Sequence, residues 1–188
     1  MKITLASGSP RRRELLEMLG ADFEVIPARG EELAKPGLSP EDVVKSLAAA
    51  KAEEVFAIVP GGLILAADTI VEMDGEILGK PRDAEDAKTM LRRLSGRTHR
   101  VFTGVAVFCG ENRLIETEET KVCFRALSER EIEDYVATGE PLDKAGAYGA
   151  QGIASLFVEK IDGDFFNVMG LPICRVGRML SEIGCELI

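Results

Sequence analysis

Apolar positions along this chain switch between short continuous runs and helical spacing, which predicts strands alternating with helices. Residues 2–6 read as a short buried strand, and Ser9-Pro10 behind it supplies an N-cap and a first helical residue. Leu15, Leu16 and Leu19 then share a helical face, and Gly20 ends that helix. A second strand is predicted over residues 23–26, followed by a polar connector over 28–38 that contains Glu31 and Glu32. Ser39-Pro40-Glu41-Asp42 opens a helix to about residue 58, and residues 63–67 form a buried strand ending at Asp68. Asp74-Gly75, inside the run 71–77, is a hairpin signal.

Asp83 caps a further helix to about residue 94, with Ser95-Gly96 as its stop. Residues 101–108 and 114–124 read as long strands, and Ser128 with Glu131 forms a capping box for a helix to about residue 136. A glycine-rich, irregular stretch covers 138–152. Residues 156–161 and 165–169 read as a hairpin around Asp162-Gly163-Asp164, and Pro172 starts a closing helix. Helices alternating with strands, some of them joined by tight turns, predict an α/β fold on a mixed sheet.

Composition narrows the class. The 188 residues suffice for one sizeable domain or two small lobes sharing a core. Lys and Arg total 23 against 32 Asp and Glu, a net charge of −9. A net charge that negative argues against non-specific nucleic-acid binding, but not against a small polyanion at a locally basic site. The apolar run 63–67 is strand-sized, far short of the roughly 20 residues that span a membrane. The few apolar residues before the arginine run do not make a secretory signal, so a cytoplasmic location is expected. His99 is the one histidine, and Cys109, Cys123, Cys174 and Cys185 form no C-x-x-C pair. A structural zinc site is therefore not expected, and the cysteines read as free thiols, most of them packed in the core.

Five segments carry candidate chemistry. The first 13 residues hold Lys2, Arg11, Arg12 and Arg13 and no acid. Ser7-Gly8-Ser9-Pro10-Arg11-Arg12-Arg13 lies at a strand-to-helix junction, where free N–H groups and the helix dipole favour an anion. It is either a phosphate site or a solvated basic patch. Lys51 shares a helical face with Val44, Leu47, Ala48, Val55 and Ile58, so its ammonium must snorkel out, find a carboxylate or meet a ligand anion. Asp68 ends an apolar strand, where a carboxylate can ligate a hard cation, take a proton from water or simply cap a turn. An aspartyl-phosphate phosphatase would want a second Asp two positions later, and Ile70 stands there. Leu78-Gly79-Lys80-Pro81 is a stiff loop with a lysine. The run from Lys144 to Gly152 offers glycines for close backbone approach and Gln151 for hydrogen bonding.

As a set these segments resemble the Maf family of nucleoside triphosphate pyrophosphatases. The matching blocks are Leu5-Ala6-Ser7-Gly8-Ser9-Pro10-Arg11-Arg12, Ala67-Asp68-Thr69, Leu78-Gly79-Lys80-Pro81 and residues 98–107. The longest is Glu140-Pro141-Leu142-Asp143-Lys144-Ala145-Gly146-Ala147-Tyr148-Gly149-Ala150-Gln151-Gly152, followed by Val168-Met169-Gly170-Leu171-Pro172. They fall in family order over essentially the whole chain. The resemblance implies one domain over residues 1–188, elongated and two-lobed, with a mixed twisted sheet, flanking helices and a cleft between the lobes. That fold is also the one of inosine-triphosphate pyrophosphatases.

The resemblance further implies hydrolysis of a nucleoside triphosphate between the α- and β-phosphates, releasing a monophosphate and pyrophosphate. Asp68 aligns with the family's general base. Arg11, Thr69 and Gln151 align with positions that separate its substrate branches, and Asp68-Thr69 with Gln151 looks like the dTTP/UTP branch. The 7-methyl-GTP branch carries Asp-Gln at the first of these places. Arg12, Glu32, Lys51 and Lys80 align with other polar positions around the substrate. Glu32 and Asp68 are the implied ligands of a divalent cation, Mg²⁺ or Mn²⁺, although a carboxylate bound directly to metal is a poorer base. A homodimer is the implied assembly. The rival expectation is a non-catalytic nucleotide-binding regulator of septum formation, which needs the basic pocket but not Asp68 at a scissile bond.

Overall fold

In the computed structural model, residues 1–30 and 37–187 are described. The strands are β1 (Ile3–Leu5), β2 (Phe23–Val25), β3 (Leu63–Met73), β4 (Glu76–Leu78), β5 (Thr98–Cys109), β6 (Asn112–Phe124) and β7 (Val158–Asp162). The helices are α1 (Pro10–Met18), α2 (Pro40–Ile58), α3 (Ala84–Leu94), α4 (Glu129–Ala137), α5 (Phe165–Met169) and α6 (Ile173–Glu182). The strands form one seven-stranded sheet in the order β2-β1-β3-β5-β6-β7, with β4 paired to β3. It is mixed: β1 runs parallel to β2 and β3, while β3–β4 and β6–β7 are antiparallel. The α/β reading with a mixed sheet therefore holds. Among the described residues no helix is long and apolar enough to cross a membrane.

The chain divides into two compact units, and the boundary cuts β3 between Asp68 and Thr69. The first takes in Met1–Asp68, Thr103–Glu118 and Gly170–Ile188. Its core sets small residues of α2, Ala48 and Ala52, with Val55, against Ile64, Ala66, Ala106 and Phe108. Small side chains let the helix backbone come close to the sheet. At Gly104 on β5 the approach is so tight that a Cβ would overlap the Val44 carbonyl of α2. The second unit takes in Thr69–Phe102 and Glu119–Met169. Its core packs α3 and α4 with Phe124, Tyr148 and Phe157, whose rings meet edge to face.

Local signals explain most boundaries. Ser39, Asp83 and Ser128 each accept a backbone N–H in the first turn of α2, α3 and α4, and Ser128 with Glu131 completes the capping box. Three expectations need correction. β3 does not end at Asp68 but continues to Met73, because Ile70, Val71 and Met73 are buried too and keep the strand in the sheet. Residues 165–169 form α5, not the second arm of a hairpin. There Asp164 accepts the Phe166 N–H, and buried Asn167 donates to Val101 O and Thr120 Oγ1, which fixes a helical turn. β7 pairs instead with β6. The four cysteines are free thiols, but only Cys185 is buried, so most do not serve the core.

Candidate active site

The first unit's polar residues gather where parallel strands end. Leu5 of β1 stands opposite Leu65 of β3, so the loop after β1 leaves the sheet beside the residues leading to Asp68. In α/β sheets that carboxyl edge is where ligands bind. Ser7 Oγ accepts the Ser9 N–H at 3.3 Å and Arg12 Nη1 at 2.9 Å, while Arg12 Nε donates to the Gly170 carbonyl at 2.8 Å. Arg12 is thus a buried strut tying the loop to Gly170, and its guanidinium is fixed in place. Ser9 holds the N-cap position of α1 with an extended backbone and makes no side-chain cap bond. The first turn of α1 has no acid and carries Arg11, Arg12 and Arg13, which oppose the helix dipole unless an anion sits there.

Lys51 is the clearest outcome. Its neighbours Val44, Leu47, Ala48 and Val55 are buried, and its ammonium donates to Asp68 Oδ1 at 2.6 Å. The two side chains are 16% and 9% exposed, so this is a largely buried ion pair. Of the outcomes open to a lysine on an apolar stripe, it takes the carboxylate. Close by in α2, Glu54 accepts the N–H groups of Arg29 and Gly30 at 2.7 and 2.9 Å, and these bonds hold its carboxyl below the usual range. Glu32 lies outside the described residues.

The other candidates belong to the second unit. Thr69 follows Asp68 on β3 and is half-buried; Lys80 and Gln151 are exposed. The Gly79 carbonyl, beside Lys80, accepts the Gly146 N–H at 3.0 Å, so the lysine loop is tied to the glycine-rich stretch. Within that stretch Ala147 is fully buried with a φ of 60°, a strained value for a residue with a side chain. The structure thus brings Lys51 to Asp68 and Arg12 to Ser7, and it ties Lys80's loop to the stretch that carries Gln151.

Sequence reasoning passed over His99 as a functional residue. It is buried, and its Nε2 lies 2.8 Å from the Tyr148 hydroxyl. Burial lowers its pKa from 6.5 to about 4, so the imidazole is neutral. The signal was there: in Thr98-His99-Arg100-Val101, positions 99 and 101 alternate onto the buried face of β5. Among the described residues no group of three or more His, Cys, Asp or Glu could hold a metal ion.

The family model for Maf-like protein matches residues 2–183. The chain belongs to the Maf family. A dTTP/UTP pyrophosphatase of Chromobacterium violaceum is 51% identical to this Maf chain over 191 residues, covering 99% of it and 96% of the relative. One from Symbiobacterium thermophilum is 50% identical over 183 residues, covering 97% of this Maf chain and 94% of the relative. Among solved structures, a HAM1 protein from Coxiella burnetii matches with a TM-score of 0.51 at 13% identity, over 97% of this chain and 99% of that one. That likeness concerns the fold alone.

Proposed function

We propose that this Maf protein is a nucleoside triphosphate pyrophosphatase that hydrolyses dTTP and UTP to the monophosphate and pyrophosphate. Relatives bearing that activity in their names match about half the residues over nearly the whole chain. The observation that carries the reading is the Lys51–Asp68 pair, its carboxylate on β3 three residues past the end of that strand's parallel pairing with β1. A buried ion pair stabilises a fold little, so its presence there points to chemistry.

Phosphoanhydride hydrolysis requires positioning and charge neutralisation more than covalent help. Arg11, Arg12, Lys51 and Lys80 supply the cations for a triphosphate. Arg12 is pre-oriented by Ser7 and Gly170, so it gives up little freedom when it meets a phosphate oxygen. Asp68 orients the attacking water and accepts its proton, with Lys51 holding the carboxylate in place. Thr69 and Gln151 recognise the base, the Gln151 amide meeting the O4 and N3–H edge shared by uracil and thymine.

A divalent cation, Mg²⁺ or Mn²⁺, belongs to the proposal on the strength of the family resemblance. Such ions are commonly held by one or two carboxylates plus substrate phosphates, a part Asp68 would take, with Glu32 implied as the second carboxylate. When bound, the ion supplies charge neutralisation on the phosphate oxygens. Assembly as a homodimer belongs to the same proposal, on the strength of the family resemblance.

The test is a pyrophosphate-release assay across a nucleotide panel with Mg²⁺ or Mn²⁺. We expect dTTP and UTP to be turned over with pyrophosphate as the first product. Asp68→Asn should lose most activity while remaining folded and able to bind nucleotide. Orthophosphate as first product, or full activity in a folded Asp68→Asn protein, would overturn the reading.

A further inference from the structure

The stretch that carries Gln151 is pinned on both sides by one phenol and one carboxylate. Tyr135 is buried on α4, and its hydroxyl donates to Glu140 Oε1 at 3.1 Å. Glu140 Oε2 accepts the backbone N–H of Ile153 at 3.1 Å. The backbone of Gly149 also acts on the same Tyr135 hydroxyl. Burial, reinforced by the Glu140 charge, raises the phenol's pKa above its ordinary value and keeps it a neutral donor. Space is equally tight. A Cβ on Gly152 would overlap the Glu140 carboxylate, and one on Gly149 would come within 2.8 Å of Lys144 Cε. Lys144 Nζ closes the frame by donating to the Glu140 carbonyl at 2.6 Å and to Asp143 Oδ1 at 2.7 Å. Gln151 stands between the two glycines, one residue before Gly152 and two after Gly149.

Such a frame matters for an amide. A glutamine carries a donor and an acceptor, so a loosely held one can turn to serve cytosine as readily as uracil. Discrimination then depends on the supporting groups that fix its origin. We propose that Glu140, through Tyr135, Gly149 and Ile153, is a positioning residue that holds Gln151 for reading uracil and thymine. This rests on the role given to Gln151 above.

The test is steady-state kinetics on UTP and CTP for Gln151→Ala, Glu140→Gln, Tyr135→Phe and the double variant Glu140→Gln/Gln151→Ala. Glutamine at 140 keeps the shape but cannot accept from both Tyr135 and Ile153 in its one orientation. We expect Glu140→Gln to lower the UTP-to-CTP ratio of kcat/KM by about tenfold, mostly through KM for UTP. Inhibition by inorganic tripolyphosphate, which has no base, should stay unchanged. The double variant should show the ratio of Gln151→Ala alone. Tyr135→Phe removes the donor to Oε1 and should shift the ratio the same way, which covers the case of a Glu140 variant that fails to fold. A ratio that collapses in Gln151→Ala but survives in folded Glu140→Gln or Tyr135→Phe overturns the positioning role and leaves base reading intact. An unchanged ratio in Gln151→Ala overturns base reading itself, and the positioning role with it.

Discussion

Replacing Lys51 by methionine isolates the physics of the buried pair. Its ammonium lies 2.6 Å from Asp68 Oδ1, with both side chains largely out of water. At an effective dielectric of about 20, two unit charges at that distance attract by roughly 6 kcal/mol. Removing two charges from water costs a comparable amount, so the net contribution of the intact pair is small. Deleting one partner is different, because the other charge remains buried without compensation. Such a deletion costs about 3–5 kcal/mol, and the 16% exposure of Lys51 puts this pair at the lower end. Lys51→Met should therefore lose about 3 kcal/mol, or about 6–12 °C in Tm for a chain of this size. Asp68→Asn keeps an acceptor for the ammonium and should lose less, about 1–2 kcal/mol. The double variant Lys51→Met/Asp68→Leu leaves no orphan charge and should return to within about 1 kcal/mol of the parent, yet be inactive. Urea unfolding followed by far-ultraviolet circular dichroism near neutral pH measures all four proteins. A double variant that loses as much as Lys51→Met or more would refute the reasoning, as would single variants as stable as the parent.

Two further predictions test other parts of the fold. His99 has its folded pKa lowered by burial to about 4 against an ordinary 6.5, so the unfolded chain binds the extra proton first as pH falls. Its contribution is complete above about 6.5 and is lost toward about 4, a span equivalent to about 3 kcal/mol. Urea midpoints of the parent should drop across this window, while those of His99→Gln should drop less; parallel curves would refute the assignment. Gly104→Ala places a Cβ on the Val44 carbonyl, so α2 must move off β5. We expect a loss of at least about 2 kcal/mol and weakened nucleotide binding through the displaced Lys51, measured by urea unfolding and titration calorimetry.

The fold was legible wherever one local rule decided the outcome. Caps at Ser39, Asp83 and Ser128 and the turn at Asp74-Gly75 act within a few residues, and each element began where those signals put it. The failures lie where distant partners decide. Asp162-Gly163-Asp164 has hairpin chemistry, but Thr120 and Val101, far away in the chain, capture Asp164 and Asn167 and make α5. Asp68 looked like a strand end because a charge broke an apolar run, yet Lys51 compensates that charge and the strand goes on. At the site, periodicity did reveal Lys51, since a lysine on an apolar stripe demands an explanation. His99, Tyr135 and Glu140 gave no such demand. Their roles rest on pairings across 49, 5 and 13 residues, which join β5 to Tyr148, α4 to Glu140 and Glu140 to Ile153 and leave no mark in local periodicity.

Charge poses the remaining question, since a chain of net charge −9 is here assigned a polyanionic substrate. The answer lies in where acids are missing. Helices α2, α3 and α4 all carry acids in the first turn, whereas α1 carries three arginines there and no acid. Elsewhere arginines face carboxylates: Arg92 meets Glu129, Arg97 meets Asp74, Arg125 meets Glu131, and Arg175 meets Glu116 and Glu118. Exposed pairs of this kind contribute little stability, but they cancel charge locally. Screening confines each of them to about 10 Å at ordinary ionic strength. A bound phosphate therefore responds to the cations within that radius and not to the sum over the chain.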